Sequence, residues 1–325
     1  MTPTRISYGV LAATVLLAAI FHLGPPLLVL LFAYFALRQL YRLTKIKWLA
    51  LMLFIILVLG IAAAAAYFTR MAILALPEVA DTSIPSANAW AQKRQIELPF
   101  TDFDSLRDAI VEQLKQEAHY LESVGRFAGH TFTALILSIL AIVIAASLFF
   151  KGAFTPQSGT EGPRNNLYVA CAEQIATRFR DFYRSFATVM GAQITISLIN
   201  TVLTGIFLLS VQLPHAPLLI AITFLCGLVP IAGNLISNTI IAFVALSVSL
   251  KLAIASLVFL ILVHKLEYFL NSTIIGQRIR NPVWLTLIAL IIGERLMGIP
   301  GLVLAPVVLN YLRVEMLKIE LPANR

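Results

Sequence analysis

The sequence predicts an all-α, polytopic membrane protein, and three observations predict it. Apolar residues make up 59% of the chain and charged residues only 12%, where a soluble domain carries about 25% charged residues. Several uncharged stretches exceed the roughly 18 residues that mark a membrane helix. In the C-terminal half, two long uncharged or nearly uncharged stretches are broken in the middle by glycine and proline. At roughly 20 apolar residues per span, this gives about eight membrane helices counting hairpin segments. The two Gly/Pro-broken hairpins admit two geometries: re-entrant loops, or pairs of short spans joined by a surface turn.

The first division, 1–47, is a helical hairpin with a basic loop. Ile6 to Leu37 carries no charge and is interrupted by Gly24-Pro25-Pro26. Arg38, Arg42, Lys45 and Lys47 follow without an acidic residue. Such a loop stays in the cytoplasm, so the hairpin begins and ends there. A cleaved signal peptide is the competing reading, but no A-x-A site is present and a second apolar run follows at once.

The second division, 48–150, holds two spans, Trp48 to Phe68 outward and Thr131 to Phe150 inward. The alanines from Ala62 to Ala66 let another helix approach closely. Between the spans, Arg70 to His130 has six basic and nine acidic residues, which suits the outer side. Leu76-Pro77 to Pro85 reads as irregular. Phe103, Leu106, Ile110, Leu114, Ala118, Leu121 and Val124 then recur at helical spacing, one stripe of an amphipathic helix.

In 151–187, a Gly/Ser/Pro linker leads to Leu167 to Phe186. Arg178, Arg180 and Arg184 alternate there with Phe179, Phe182, Tyr183 and Phe186. That pattern fits an interfacial helix against lipid headgroups. The net charge of +8 is explained by basic residues retained on the cytoplasmic side. No nucleic acid is expected as a partner.

The third large division, 188–312, reads as the transport core, followed by a cytoplasmic tail, 313–325. Thr188 to Val211 crosses outward and is polar for a span. Gln193, Ser197, Asn200 and Thr204 share one helical face, as glue between helices or as the lining of a polar pathway. Ala216 to Leu250 is uncharged and broken by Gly227 to Asn234, with Pro230 removing a backbone donor. Leu252 to Leu270 returns inward. Asn281 to Leu312 is broken at Gly293-Glu294-Arg295 and Gly298-Ile299-Pro300-Gly301. Thr188 to Leu250 and Leu252 to Leu312 thus read as units of opposite topology, the arrangement of inverted-repeat transporters.

Irregular backbone at membrane depth is tolerated where it lines a cavity, so the breaks point to a solute site. The candidate substrate-binding residues are Gln193, Asn200, Pro230, Asn234, Asn238, Glu294 and Arg295. Glu294 is the candidate coupling residue, because an ionisable group at that depth is costly. Capping is the competing role for Asn234 and Asn238, and mutual neutralisation for Glu294 and Arg295.

No P-loop, H-E-x-x-H or G-x-S-x-G motif appears, so neither an enzyme nor a bound cofactor is expected. Cys171 and Cys226 form no metal or redox motif, and no metal site is expected.

The run Lys265 to Glu315 resembles the autoinducer-2 exporter family of bacterial membrane proteins. The matching positions are Glu267, Ile275, Gly276, Pro282, Gly293, Gly298, Gly301, Ala305 and Pro306. Val229-Pro230-Ile231-Ala232-Gly233-Asn234 is similar to a second family element, and Gly191-Ala192-Gln193 to a third. Ser272 and Asn234 depart from it, standing where the family often has proline. The resemblance implies a permease of the bacterial inner membrane, exporting a small polar signal such as autoinducer-2 in some members. It implies proton or sodium coupling in others, and a homo-oligomer, with a pentamer as one state. A non-transporting membrane scaffold or an ion channel are the rival readings of the residues.

Overall fold

The computed structural model describes residues 3–92, 105, 120–151, 167–229, 232–270 and 282–318. Among these, every regular element is an α-helix, as the hydropathy pattern predicts. In chain order they are α1 (Pro3–Ile20), α2 (Gly24–Thr44), α3 (Lys47–Gln92), α4 (Tyr120–Lys151) and α5 (Leu167–Ser210). They continue with α6 (Ala216–Gly227), α7 (Ala232–Val248), α8 (Leu250–Leu270), α9 (Val283–Met297) and α10 (Ile299–Met316). Among the described residues, six helices are long and apolar enough to cross a membrane: α1 to α5 and α10.

Two helices run further than the hydropathy profile suggests. α3 continues past the expected span end at Phe68 to Gln92, with Pro77 and Pro85 inside it, where the sequence predicts irregular structure from Leu76-Pro77 to Pro85. Each proline removes one backbone hydrogen bond, and the alanine-rich flanks are strong helix formers. α5 joins the expected interfacial segment and the expected span into one helix of 44 residues, since no proline separates them. The amphipathic stripe from Phe103 to Ala118 and the linker after Lys151 lie outside the described residues.

The chain forms two compact units. The first comprises Met1–Val58, Thr131–Ala192 and Arg278–Arg325. Here α2 starts with prolines in its first turn, where a missing N–H costs nothing. It ends at Lys45, whose left-handed backbone lets its N–H return to the Tyr41 carbonyl at 2.8 Å. Edge-to-face rings hold α2 on α5: Tyr34 with Tyr183 at 4.7 Å and Phe32 with Phe186 at 5.1 Å. Lys47 donates to the carbonyl of Phe150 at 3.0 Å, placing a cation at the negative end of α4.

An ionic cluster ties α1, α5 and the end of α10 within this unit. Arg178 pairs with Glu315 and stacks over the Tyr8 ring at 4.0 Å. The Tyr8 hydroxyl donates to Glu315 at 3.1 Å. Lys318 donates to Asp181 and Glu315, both at 2.7 Å. Burial opposes the Lys318 charge, but these two carboxylates outweigh it and raise the lysine pKa above its ordinary value.

The second unit comprises Leu59–His130 and Gln193–Gln277. Its core joins α5 to α8 through Leu208, Leu219, Ile241, Val244, Ala245 and Leu260. Phe207 and Phe259 stack nearly parallel, 4.1 Å between centroids. α6 and α7 have 12 and 17 residues. At 1.5 Å per residue they reach about 18 and 26 Å, short of the roughly 30 Å hydrocarbon core.

Candidate solute site

The polar face of α5 is real and almost wholly buried. Gln193, Ser197, Asn200, Thr201 and Thr204 are each at most 9% exposed. Their spacing puts them on one side of the helix, and that side meets α6. A helix leaves its last four carbonyls without intrahelical donors. α5 supplies two of the missing donors: Gln193 Nε2 to the Gly227 carbonyl at 2.7 Å and Ser197 Oγ to the Phe224 carbonyl at 2.8 Å. Gln193 therefore closes the end of α6, which gives it a structural partner at the first break.

The break itself depends on glycine. A Cβ on Gly227 would collide with Ser197, and one on Gly233 would collide with the carbonyl of Cys226. Gly227 therefore lets α5 lie close against α6, and Gly233 lets α7 lie close against the end of α6. Pro230 lies outside the described residues.

Beyond this joint the four helices line a small, partly open cavity of about 10 Å³, close to the room one water needs. α5 contributes Asn200 and Thr204, and α6 contributes Thr223. α7 contributes Asn234 and Asn238, one turn apart. Glu267 and His264 line it from α8, with Leu260 and Val263 as its apolar wall. Three of the residues singled out from sequence, Asn200, Asn234 and Asn238, therefore meet at one place.

Glu267 is the centre of the cavity's chemistry. It is 8% exposed. The Asn234 amide donates to its carboxylate, and the Asn200 amide donates as well. His264 Nδ1 lies 3.6 Å from Glu267 Oε2. The Asn200 Oδ1 atom is buried and has no hydrogen-bond partner among the described residues. The cavity thus presents amide, hydroxyl and carboxylate groups to anything small and polar inside it.

Glu267 and His264 were missed as site residues in the sequence reading, although Glu267 stood out as a shared motif position. Their signal is a histidine and a glutamate three residues apart on an apolar helix, which puts both on one face. Placed at the inner end of a span, they read as a boundary marker.

Glu294 and Arg295 belong to the first unit, in the last turn of α9, and are not among the residues lining this cavity. Arg295 Nε lies 3.9 Å from Glu294 Oε2, and the two side chains are 85% and 54% exposed. Behind them, Gly293 and Gly301 bring α9 and α10 together. A Cβ on Gly293 would lie 2.5 Å from the Gly301 carbonyl oxygen. Gly298 makes the turn at φ +64°, a backbone region that glycine enters freely.

Comparison with known proteins gives two matches. A family model described as AI-2E family transporter covers residues 7–318. A Bacillus subtilis (strain 168) protein named "Putative transport protein YdbI" is 30% identical over 187 residues, 57% of this chain. The match spans 51%, about half, of that relative's length.

Proposed function

The chain belongs to the AI-2E family of transporters, and from that premise we propose that it is a secondary transporter exporting a small polar solute. It is a multi-pass membrane protein of permease type; the bacterial inner membrane, with both termini cytoplasmic, is the setting we propose. The single observation that carries the solute reading is the convergence of Asn200, Asn234, Asn238 and Glu267 on one small, partly open cavity beside the break between α6 and α7. Gly/Pro-interrupted segments mark substrate sites in transporters built from inverted repeats. We assign solute contact to Asn200, Asn234 and Asn238, with Gln193 and Pro230 shaping the break. The second break, with Glu294 and Arg295, enters as its inverted counterpart, and Glu294 as a proton carrier. The proposed mechanism is alternating access around re-entrant hairpins, in a homo-oligomer for which a pentamer is the state to test.

Purified protein in proteoliposomes provides the experiment, with autoinducer-2 as the first cargo. Saturable flux above that of protein-free vesicles is expected. Asn234→Leu should lower it at least about tenfold, or roughly 1.4 kcal/mol in the barrier, while the protein stays folded. Flux that does not saturate points to a channel, and its absence for every polar cargo points to a scaffold. If Glu294→Gln leaves a proton-coupled flux untouched, Glu294 is not the carrier.

A further inference from the structure

Where α2 hands over to α3, the first unit carries positive charge that the fold positions but does not neutralise. Arg38, Arg42, Lys45, Lys47 and Lys151 are all exposed. Among the described residues no carboxylate pairs with any of them. Asp181 and Glu315 are held by Arg178, Arg184 and Lys318, and Glu294 by Arg295. Glu173 is too far away, about 15 Å along α5 from Tyr183. The negative ends of α2 and α4 lie here too. Two helix ends supply about one negative charge together, which leaves the five basic side chains in clear excess.

Arg38 is the most firmly placed of them. Its guanidinium carbon lies 5.9 Å from the ring centroids of both Tyr34 and Tyr183, the rings that join α2 to α5. Aromatic faces hold a cation through their quadrupole and leave its charge uncancelled. Arg42 follows one turn later on the same face of α2. Its Nη1 donates to the neutral Gln39 amide oxygen at 3.0 Å. Arg38 and Arg42 both act electrostatically on Tyr183, which puts them on the side of α2 that meets α5. Lys47 reaches the Phe150 carbonyl on α4 at 3.0 Å. The exposed Trp48 ring packs on Phe150, 5.0 Å between centroids, an amphipathic ring of the kind found at headgroup level. Leu49 and Met52, both exposed, carry α3 from there into its apolar run.

We propose that this basic corner binds one anionic phospholipid whose headgroup carries two phosphates joined by a glycerol. Arg38 and Arg42 take one phosphate each. Four residues of helix separate them by about 6 Å along the axis, close to the span of a glycerol bridge. A planar guanidinium meets phosphate oxygens bidentately, and the Tyr34 and Tyr183 rings aim that of Arg38. Lys45 and Lys47 add charge, and the acyl chains lie along the exposed apolar side of α3. Basic pockets between membrane helices on the cytoplasmic side take such headgroups. The leaflet follows from the proposed orientation. The binding depends neither on that orientation nor on transport.

Native mass spectrometry of the purified, delipidated protein tests this. The probe is tetra-acyl diphosphatidylglycerol, with phosphatidylglycerol and phosphatidylcholine beside it. About one two-phosphate lipid per chain is expected, bound more tightly than phosphatidylglycerol, with phosphatidylcholine weakest. Near an anionic surface each basic group contributes about 1 kcal/mol, roughly fivefold in affinity. Arg38→Gln and Arg42→Gln should each weaken binding by about that factor, and the double variant by at least about tenfold. All three replace exposed side chains, and an unchanged melting temperature separates lost binding from lost fold. Lys251→Gln, at an exposed lysine of the second unit, should bind normally. Equal affinity for the three lipids overturns the proposal, as does tight binding that survives the double variant. Displacement of the lipid by free inorganic phosphate also overturns it and assigns the corner to a soluble anion.

Discussion

The side-chain amide of Gln193 donates to the main-chain carbonyl of Gly227 across 2.7 Å. A residue of a long helix thereby closes the end of a short one. Together with the bond from Ser197 to the Phe224 carbonyl, this bond caps the last turn of α6 beside the break.

Gln193→Leu should destabilise the protein without abolishing transport by what remains folded. The substitution leaves a buried carbonyl without its donor, a loss of about 1–3 kcal/mol. Thermal unfolding in detergent reads the loss, and solute KM in proteoliposomes should move little. A large KM change with unchanged melting would make Gln193 a solute ligand instead.

Gly233→Ala should be far more damaging than Gly60→Ala. A methyl at Gly233 would run into the Cys226 main-chain carbonyl, which cannot step aside as a flexible side chain can. Gly60 has nothing within 4 Å of such a methyl, and alanine is the better helix former there. Yields of monodisperse protein for the two variants check this.

Removing Glu315 should cost far more than removing Arg184. Glu315→Ala strands the buried Arg178 guanidinium, and breaking a buried pair by one partner costs about 3–5 kcal/mol. Arg184 is 71% exposed in its pair with Asp181, and such surface pairs contribute at most about 1 kcal/mol. Comparable melting temperatures for the two variants would sink the cluster as a structural tie.

Lys318 should stabilise the protein evenly through neutral pH. Its pKa is raised above the ordinary 10.5 because two carboxylates hold its charge against burial. A raised folded value means the contribution is complete below 10.5 and fades as pH climbs through the higher folded value. The melting difference between the wild type and Lys318→Met should therefore be flat near neutrality and shrink only in strong alkali.

Much of this architecture is legible in the chain because a bilayer leaves few options for an apolar run. The broken hairpins announce themselves through Gly227, Gly233, Gly293 and Gly298, and the buried face of α5 through the spacing of Gln193, Asn200 and Thr204. Pro77 and Pro85 misled, since proline usually ends a helix and here interrupts only single bonds. Glu267 stayed hidden for a different reason. Its partners Asn200 and Asn234 lie on other helices, and no local pattern encodes a meeting made by tertiary packing. Gln193 reads from the sequence as a candidate solute ligand, and the structure gives its amide the Gly227 carbonyl as a partner, which no local pattern announces.

The joint between α6 and α7 is clamped by main-chain oxygens and by glycines that leave no room to grow. The cavity wall beside it carries amides and hydroxyls together with Glu267, His264 and two apolar side chains. Mutation can therefore redraw the wall, at Asn238 or Thr204, while the hinge geometry is inherited unchanged. Exchanges in that wall would change the polar groups it presents without the helices having to be repacked each time.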